Sequence, residues 1–152
     1  MSVTGSWDTD FYLKNVLGIK QMAMLCRICE TYHHIFGDLV ESYKILMNDK
    51  VEEPLFVKAC KLGLLKLAKW MYNRYSIDIH ADVEAAFRWC CNNGHLDVAK
   101  WLVELGKSTG NQIDIHVCNE YVFSWCCYYG HLEVAKWLIS MEPKYWITIA
   151  FP

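Results

Sequence analysis

A group of cysteine and histidine residues near the amino terminus has the residue types that bind zinc. Cys26 and Cys29 are two residues apart, and His33 and His34 follow closely. Thiolate and imidazole groups at such intervals can hold zinc tetrahedrally. The same intervals place Cys26, Cys29 and His33 on one apolar stripe of a helix, where a reduced cysteine packs as a small hydrophobic residue. We predict packing without metal or other cofactor, and keep a zinc or redox module on these three residues as an alternative.

Later cysteines and histidines could in principle supply a nucleophile and a base. Cys90-Cys91 is followed by His95, and Cys126-Cys127 is followed by His131. Nucleophilic catalysis needs one thiol and one imidazole, with a third group that orients them. Here each candidate thiol and imidazole occurs twice at equivalent repeat positions, so the sequence does not bring one thiol, one imidazole and an orienting group to a single site. A bond between neighbouring cysteines would be strained, which favours reduced, packed thiols. We therefore predict structural roles and no enzymatic activity.

Three lysine-tryptophan pairs could form a ladder on which single-stranded bases stack. The pairs are Lys69-Trp70, Lys100-Trp101 and Lys136-Trp137. Alternatively, each Trp covers a seam between units while its Lys is solvated near an acid three residues away, such as Asp97 or Glu133. The chain has 15 basic and 17 acidic side chains, hence no cationic excess to neutralise phosphates. We predict no nucleic-acid binding, and keep it as a second alternative.

Length and composition indicate one folded domain. The chain has 152 residues, 54% of them hydrophobic and 21% charged, which excludes intrinsic disorder. Eight cysteines are too few for a crosslinked secreted scaffold, and the amino terminus has no basic start followed by an apolar run. Apolar stretches such as 19–25 are shorter than a bilayer span of about 20 residues. We expect a cytoplasmic protein with reduced thiols and no membrane partner.

The most informative feature is an internal repeat. Residues 87–103 and 123–139 are identical at twelve of seventeen positions, with an offset of 36, and residues 56–71 match the same frame with an offset of 31 from the second unit. The connectors repeat as well, as Ile-Asp-Ile-His at 77–80 and 113–116 and as Ile-Thr-Ile-Ala at 147–150. The chain therefore contains three copies of one unit.

Each unit has the apolar spacing of two short helices. In the second unit, Val83, Ala86, Phe87, Cys90 and Cys91 recur at intervals of three and four. After Gly94 the same spacing resumes in a second amphipathic segment, which stops at Gly106. Neither helix can bury its apolar stripe alone, so the units must stack. The alternating connectors favour short extended segments between the helix pairs, here called fingers. The apolar spacing and the connectors together predict an all-α solenoid of helix-turn-helix repeats.

These units resemble ankyrin repeats. The family's Ala-Ala-x-x-Gly-His core is similar to 90–95 and 126–131 here, and the resemblance covers residues 54–152. The segment Gly-His-Leu-Glu-Val-Ala-Lys-Trp-Leu is most similar to the divergent ankyrin repeats of giant DNA viruses, which are also seen in water moulds. The family's Thr-Pro-Leu-His helix start is replaced by residues 85–88 and 121–124. We therefore expect longer fingers held by the Ile-Asp-Ile-His segments.

The repeats set the expected organisation of the single domain. They occupy about 54–82, 83–119 and 120–152, after a helical cap or degenerate repeat at 1–53. The apolar segment 145–152 has no following repeat to cover it, so it either folds back or mediates contacts. We expect a monomer or a weak homodimer through this segment.

The resemblance implies a module that binds another protein through its concave helix face and fingers, with a host protein as partner if the source is viral. We expect binding at residues of the concave helix face and the fingers, since Trp, Tyr and Arg dominate many interfaces. These are, on the helices and turns, Lys58, Lys61, Arg88, Trp89, Asn92, Asn93, Trp125, Tyr128 and Tyr129, and, in the fingers, Asp78, His80, Asp114 and His116. In a second interpretation, Trp89 and Trp125 stack on each other along the groove.

Overall fold

A computed structural model describes residues 30–48 and 54–143. These residues form seven helices and no strand. The helices are α1 (Glu30–Asn48), α2 (Leu55–Lys61), α3 (Leu65–Arg74), α4 (Ala81–Asn92), α5 (Leu96–Thr109), α6 (Val117–Tyr128) and α7 (Leu132–Met141). The prediction of an all-α fold built from helix pairs is confirmed. None of the described helices has both the length and the apolar character needed to cross a bilayer.

The first compact unit combines the described residues up to Phe56 with Leu64–Ile77. Within it, α1 packs on α3, and buried side chains such as Leu46 and Leu67 lie in its core. Asp38 and Lys66 form an exposed ion pair between the same two helices. Helix α1 lies in the segment for which a cap or degenerate repeat is predicted, and that assignment stays a prediction. The segment 145–152 lies outside the described residues.

The second compact unit contains Val57–Gly63 and the described residues from Asp78 onward. Here α4 packs on α5 and α6, and α6 packs on α7. Fully buried side chains recur at equivalent repeat positions, and each such apolar group contributes about 1.5–3 kcal/mol by leaving water. The largest are Phe87, Val98, Leu102, Val122, Val134 and Leu138. The stacking that the amphipathic pattern required is therefore present between the second and third repeats.

The turns between paired helices are the same in both of these repeats. The His95 amide donates to the Cys90 carbonyl at 2.9 Å, and the His131 amide donates to the Cys126 carbonyl at 2.8 Å. Gly94 precedes His95 with φ of 79°, a left-handed conformation that glycine adopts without steric cost. The histidine ring of one repeat then covers the turn glycine of the repeat before it. A Cβ on Gly94 would lie 2.6 Å from Nδ1 of His131.

The fingers before α4 and α6 are held by the segments that the sequence predicted. Ile79, Ile113 and Ile115 are buried. The Asp78 carboxylate accepts a hydrogen bond from the His80 amide, and the equivalent bond joins Asp114 to His116, both at 2.9 Å. The alternation of Ile with Asp and His thus gives each finger an apolar anchor and a polar turn.

Candidate functional site

An aromatic cluster lies on the first helix of the third repeat. The Trp125 ring centroid is 5.2 Å from that of Tyr121, 5.9 Å from Tyr128 and 5.0 Å from Tyr129. Positions four before, three after and four after a helical residue share its face, which explains the cluster. Tyr128 is 80% exposed and Tyr129 is 53% exposed. The helix therefore presents ring surface to solvent, although such rings are usually partly buried.

The cluster forms one wall of a cavity of about 420 Å³ between the second and third repeats, here named the aromatic groove. Its lining residues are Trp89, Asn92, Asn93, Tyr121, Trp125, Tyr129 and His131. The structure thus brings together five of the predicted contact residues, two of which are the tryptophans. A smaller cavity of about 290 Å³ beside it is lined by Ser124, Trp125 and Tyr128. Predicted contact residue Tyr128 therefore lies next to the groove.

Sequence reasoning missed two lining residues. Tyr121 lies one helical turn before Trp125, and this four-residue interval is the signal that could have found it. His131 was assigned a structural role, and its ring does cover Gly94 while also contacting Tyr129, with centroids 6.4 Å apart. In the described chain, the ring partners of Trp125 are tyrosines and not Trp89. The interpretation in which the two tryptophans stack on each other is therefore wrong.

The opposite wall of the aromatic groove is polar. Asn93 donates from its side chain to the Trp89 carbonyl at 2.8 Å. Asn92 has a buried Oδ1 with no hydrogen-bond partner among the described residues. A buried acceptor without a donor costs about 1–3 kcal/mol. At the offset of 36, these asparagines occupy the repeat positions that Tyr128 and Tyr129 occupy in the third repeat.

The predicted basic contacts occupy three different environments. The Lys61 ammonium lies 4.7 Å from the centroid of the Trp89 ring, a cation-π contact at the edge of the groove. Arg88 donates to the carbonyls of Val83 and Asp82 at 2.8 and 2.9 Å. Lys58 is only 4% exposed, so the contact role predicted for it is not supported. Lys58 follows the helical period but lies on a buried side of α2.

Arg88 braces an unusual first turn of α4. Asp82, Val83 and Glu84 have φ between 52° and 57°, and Glu120 in α6 has φ of 63°. Non-glycine residues enter this region at a cost of roughly 1–2 kcal/mol each. The guanidinium satisfies carbonyls that the left-handed turn withholds from helical hydrogen bonds. Arg88 therefore has an internal role in this turn, in addition to the partner contact predicted for it.

The finger residues mainly bind one another. His80 Nδ1 lies 2.8 Å from Glu84 Oε1, and His116 Nδ1 lies 2.9 Å from Glu120 Oε1. The lining of the aromatic groove includes neither finger histidine. Sequence reasoning missed both glutamates, although the longer motif Ile-Asp-Ile-His-x-x-x-Glu occurs at 77–84 and 113–120. Their repetition was the available signal.

Glu84 also joins consecutive fingers. Its side chain is buried, and Oε1 accepts from the Asp114 amide of the next finger at 3.4 Å. The remaining oxygens Glu84 Oε2 and Glu120 Oε2 are buried without partners in the described parts of the chain. His116 makes a further contact, since its Nε2 lies 3.0 Å from Glu142 Oε2. This polar network links the two fingers to each other and to the end of α7.

Four of the six described cysteines have the environment of packing residues. Cys60, Cys90, Cys91 and Cys126 are buried free thiols. Burial raises the pKa of Cys126 to about 12 and also raises the pKa of Cys60 and Cys90. Such thiols stay protonated and are poor nucleophiles. Cys126 donates to the Cys91 carbonyl at 3.3 Å, which explains why a small thiol is tolerated between stacked helices.

Neither alternative function gains a site among the described residues. Cys26 and Cys29 lie outside them, as does the side chain of His33, and no group of three metal-ligating side chains occurs in 30–48 and 54–143. Trp70 is buried, and Lys136 pairs with Glu133 at 3.0 Å. The pairing of Lys136 agrees with the expectation of a solvated lysine beside an acid three residues away; that each tryptophan covers a seam between units stays a prediction.

Comparison with known proteins places the repeats in a family. The sequence model of the family described as "Ankyrin repeats (3 copies)" matches residues 55–148. The match covers more than half of the chain and contains both groove-forming repeats. No curated protein matches the chain, and no solved structure matches it.

Proposed function

We propose that this chain, which belongs to the ankyrin-repeat family, is a non-catalytic module that binds a partner protein through its aromatic groove and the adjoining fingers. Ankyrin repeats are general protein-protein interaction modules, and the family is typically non-catalytic. On this chain, we place the binding surface at the aromatic groove and the adjoining fingers. It includes a cytoplasmic site of action, and a host protein as partner if the repeats come from a giant DNA virus, whose repeats they resemble.

The observation that carries the proposal is the exposure of the ring cluster around Trp125. Tyr128 and Tyr129 expose most of their surface beside a formed cavity. Scattered single apolar residues on a surface need no explanation, but a contiguous patch beside a cavity marks an interaction site. Large aromatic side chains also dominate many interfaces, because they bury much area with few rotatable bonds.

Partner capture tests this proposal. Immobilised wild type and the double variant Trp125→Ala, Tyr129→Ala are exposed to the same extract of the source cells. The expected loss for a pair of central contacts is about 30-fold or more in affinity. Leu132→Ala is the matched control, because Leu132 is 60% exposed on α7 and lies outside the groove lining. Thermal unfolding of all three proteins shows whether a loss of capture comes from loss of fold. Undiminished capture by a folded double variant would refute the proposed surface.

Two further measurements address the alternatives. Near-stoichiometric zinc in the purified protein would replace the plain scaffold with a metal module on Cys26, Cys29 and His33. Tight binding of a single-stranded oligonucleotide at low salt, weakening steeply as salt rises, would favour the nucleic-acid alternative. We expect neither. Sedimentation of the chain with and without residues 145–152 tests the proposed monomer or weak homodimer.

A further inference from the structure

We infer that the aromatic groove binds an extended peptide segment of the partner that contains proline and carries an acidic residue. This inference rests on the proposed function and specifies the chemistry of the bound segment. It follows from three features of the groove, which are its ring wall, its amide wall and its charge.

The ring wall suits a proline-containing segment. Tyr121, Trp125 and Tyr129 present tilted rings with centroids 5.0 to 5.2 Å apart around one tryptophan. Proline is a flat apolar ring that packs on such faces, and proline-rich segments hold a polyproline II conformation before binding. They therefore lose less conformational entropy when they enter an aromatic-lined groove. The smaller loss of conformational entropy matters for a groove that contacts only a few ligand residues.

Addition of a β-strand is unsuited as a mode of binding, because the described residues contain no strand whose edge could receive one. An extended segment of a few residues fits the available space.

The amide wall matches an extended backbone. A polyproline II segment has no internal hydrogen bonds, so its carbonyls and its non-proline N–H groups need outside partners. Asn93 is an exposed residue of the groove lining, and its Nδ2 donates to the Trp89 carbonyl. Its Oδ1 can therefore accept from a ligand N–H. A hydroxyl of Tyr121 or Tyr129 can donate to a ligand carbonyl in turn.

The charges around the groove determine which residue type accompanies proline in the bound segment. The seven side chains that line the groove include no carboxylate. The Lys61 ammonium already lies over the Trp89 ring at the groove edge. A ligand cation at that ring would meet a like charge, whereas Asp or Glu would meet an opposite one. The groove therefore favours acidic segments over lysine-rich or methylated-lysine segments.

Selection from a random dodecapeptide phage library tests the inference with the full chain. Counterselection against Trp125→Ala, Tyr129→Ala removes peptides that bind elsewhere. The retained peptides should be enriched in proline, and in Asp and Glu over Lys and Arg. Retained peptides without proline enrichment, an excess of basic residues, or no groove-dependent peptide would overturn the inference. Tighter binding of trimethyl-lysine peptides than of the selected ones would overturn it as well.

Affinities of the selected peptides for three variants then locate the contacts. Tyr129→Ala should weaken binding about tenfold or more. Lys61→Gln should weaken binding several-fold and reduce its dependence on salt, because an edge charge acts mainly by long-range attraction. Leu132→Ala should leave the affinity unchanged. Equal affinity of wild type and Tyr129→Ala for the peptides would contradict the inference.

The two proposals fail in different ways. If partner capture requires Trp125 and Tyr129 but crosslinks map to a partner segment without proline, the peptide class is wrong and the binding surface stands. If a folded double variant still captures the partner, the proposed function itself fails, whatever the library returns.

Discussion

Nε2 of His116 lies 3.0 Å from Oε2 of Glu142, the residue that follows α7, while Nδ1 of the same ring lies 2.9 Å from Oε1 of Glu120. A neutral imidazole has one donor nitrogen and one acceptor nitrogen, so it can donate to only one of these carboxylates. The imidazolium donates to both. The link between the finger before α6 and the end of α7 therefore depends on protonation.

The first prediction is a loss of stability as pH rises through the pKa of His116. Burial of the ring opposes its charge, but hydrogen bonds and negative charge from Glu120 and Glu142 outweigh burial and raise the pKa above its ordinary value of 6.5. The third carboxylate at this residue is Asp114, which accepts from the His116 amide. Since the pKa is higher in the folded state, the stabilisation is complete below 6.5 and disappears above the folded pKa.

Urea denaturation of wild type and His116→Gln near pH 5.5 and near pH 8.5 measures this effect. The advantage of wild type over the variant should shrink at the higher pH. Glu142→Gln should remove part of the effect, about 0.2–1 kcal/mol, because this carboxylate is largely exposed. A difference that is the same at both pH values would contradict the prediction.

The second prediction concerns the turn glycine that His131 covers. Gly94→Ala should lower the free energy of unfolding by about 2–4 kcal/mol, because a Cβ there meets both an unfavourable φ and the His131 ring. Gly130→Ala is the matched control. Its φ is 77°, and a Cβ there would meet no described atom within 4 Å. The difference between the two variants in chemical denaturation isolates the ring contact, and equal losses would show that the contact does not restrict the turn.

The third prediction is that Glu84 stabilises two fingers. Glu84→Ala removes the acceptor for His80 Nδ1 and for the Asp114 amide, and should cost about 2–3 kcal/mol. Glu104→Ala, an exposed position on α5, should change stability by less than about 0.5 kcal/mol. Hydrogen exchange should show faster exchange of the Asp114 amide in Glu84→Ala alone. Unchanged protection of that amide would contradict the proposed link between fingers.

The fourth prediction concerns thiol reactivity. Cys118 and Cys127 are exposed, whereas Cys60, Cys90 and Cys126 are buried. The buried thiols should react with an alkylating reagent at least about a hundredfold more slowly, because burial protonates them and blocks access. Labelling at each cysteine is measured by mass spectrometry of proteolytic peptides. Rapid labelling of Cys90 in the folded protein would contradict its assignment as a packing residue.

Repetition made most of the fold predictable. The interval of three and four residues around Phe87 predicts a helix face, and its return at Phe123 predicts the next layer. The paired cysteines were expected to be reduced and packed; Cys90, Cys91 and Cys126 are buried, and Cys126 bonds to the Cys91 carbonyl, whereas Cys127 is exposed. Local spacing misled at Lys58, since the period does not distinguish a surface side from a side that packing covers. Glu84 and Glu120 were missed because their importance lies in contacts with histidines and with the next finger.

The amino-acid sequence alone determined that this protein consists of stacked helix pairs, because the apolar period and the turn glycines act over one or two helical turns and recur in every copy. Only the tertiary structure decided where a ligand could lie. Which rings line the groove and which Asn oxygen lacks a donor depend on how α4 and α6 approach each other, and the contact of Lys61 with Trp89 depends on how α2 approaches α4. These helices lie about one repeat apart in the chain, so no local pattern encodes how they pack.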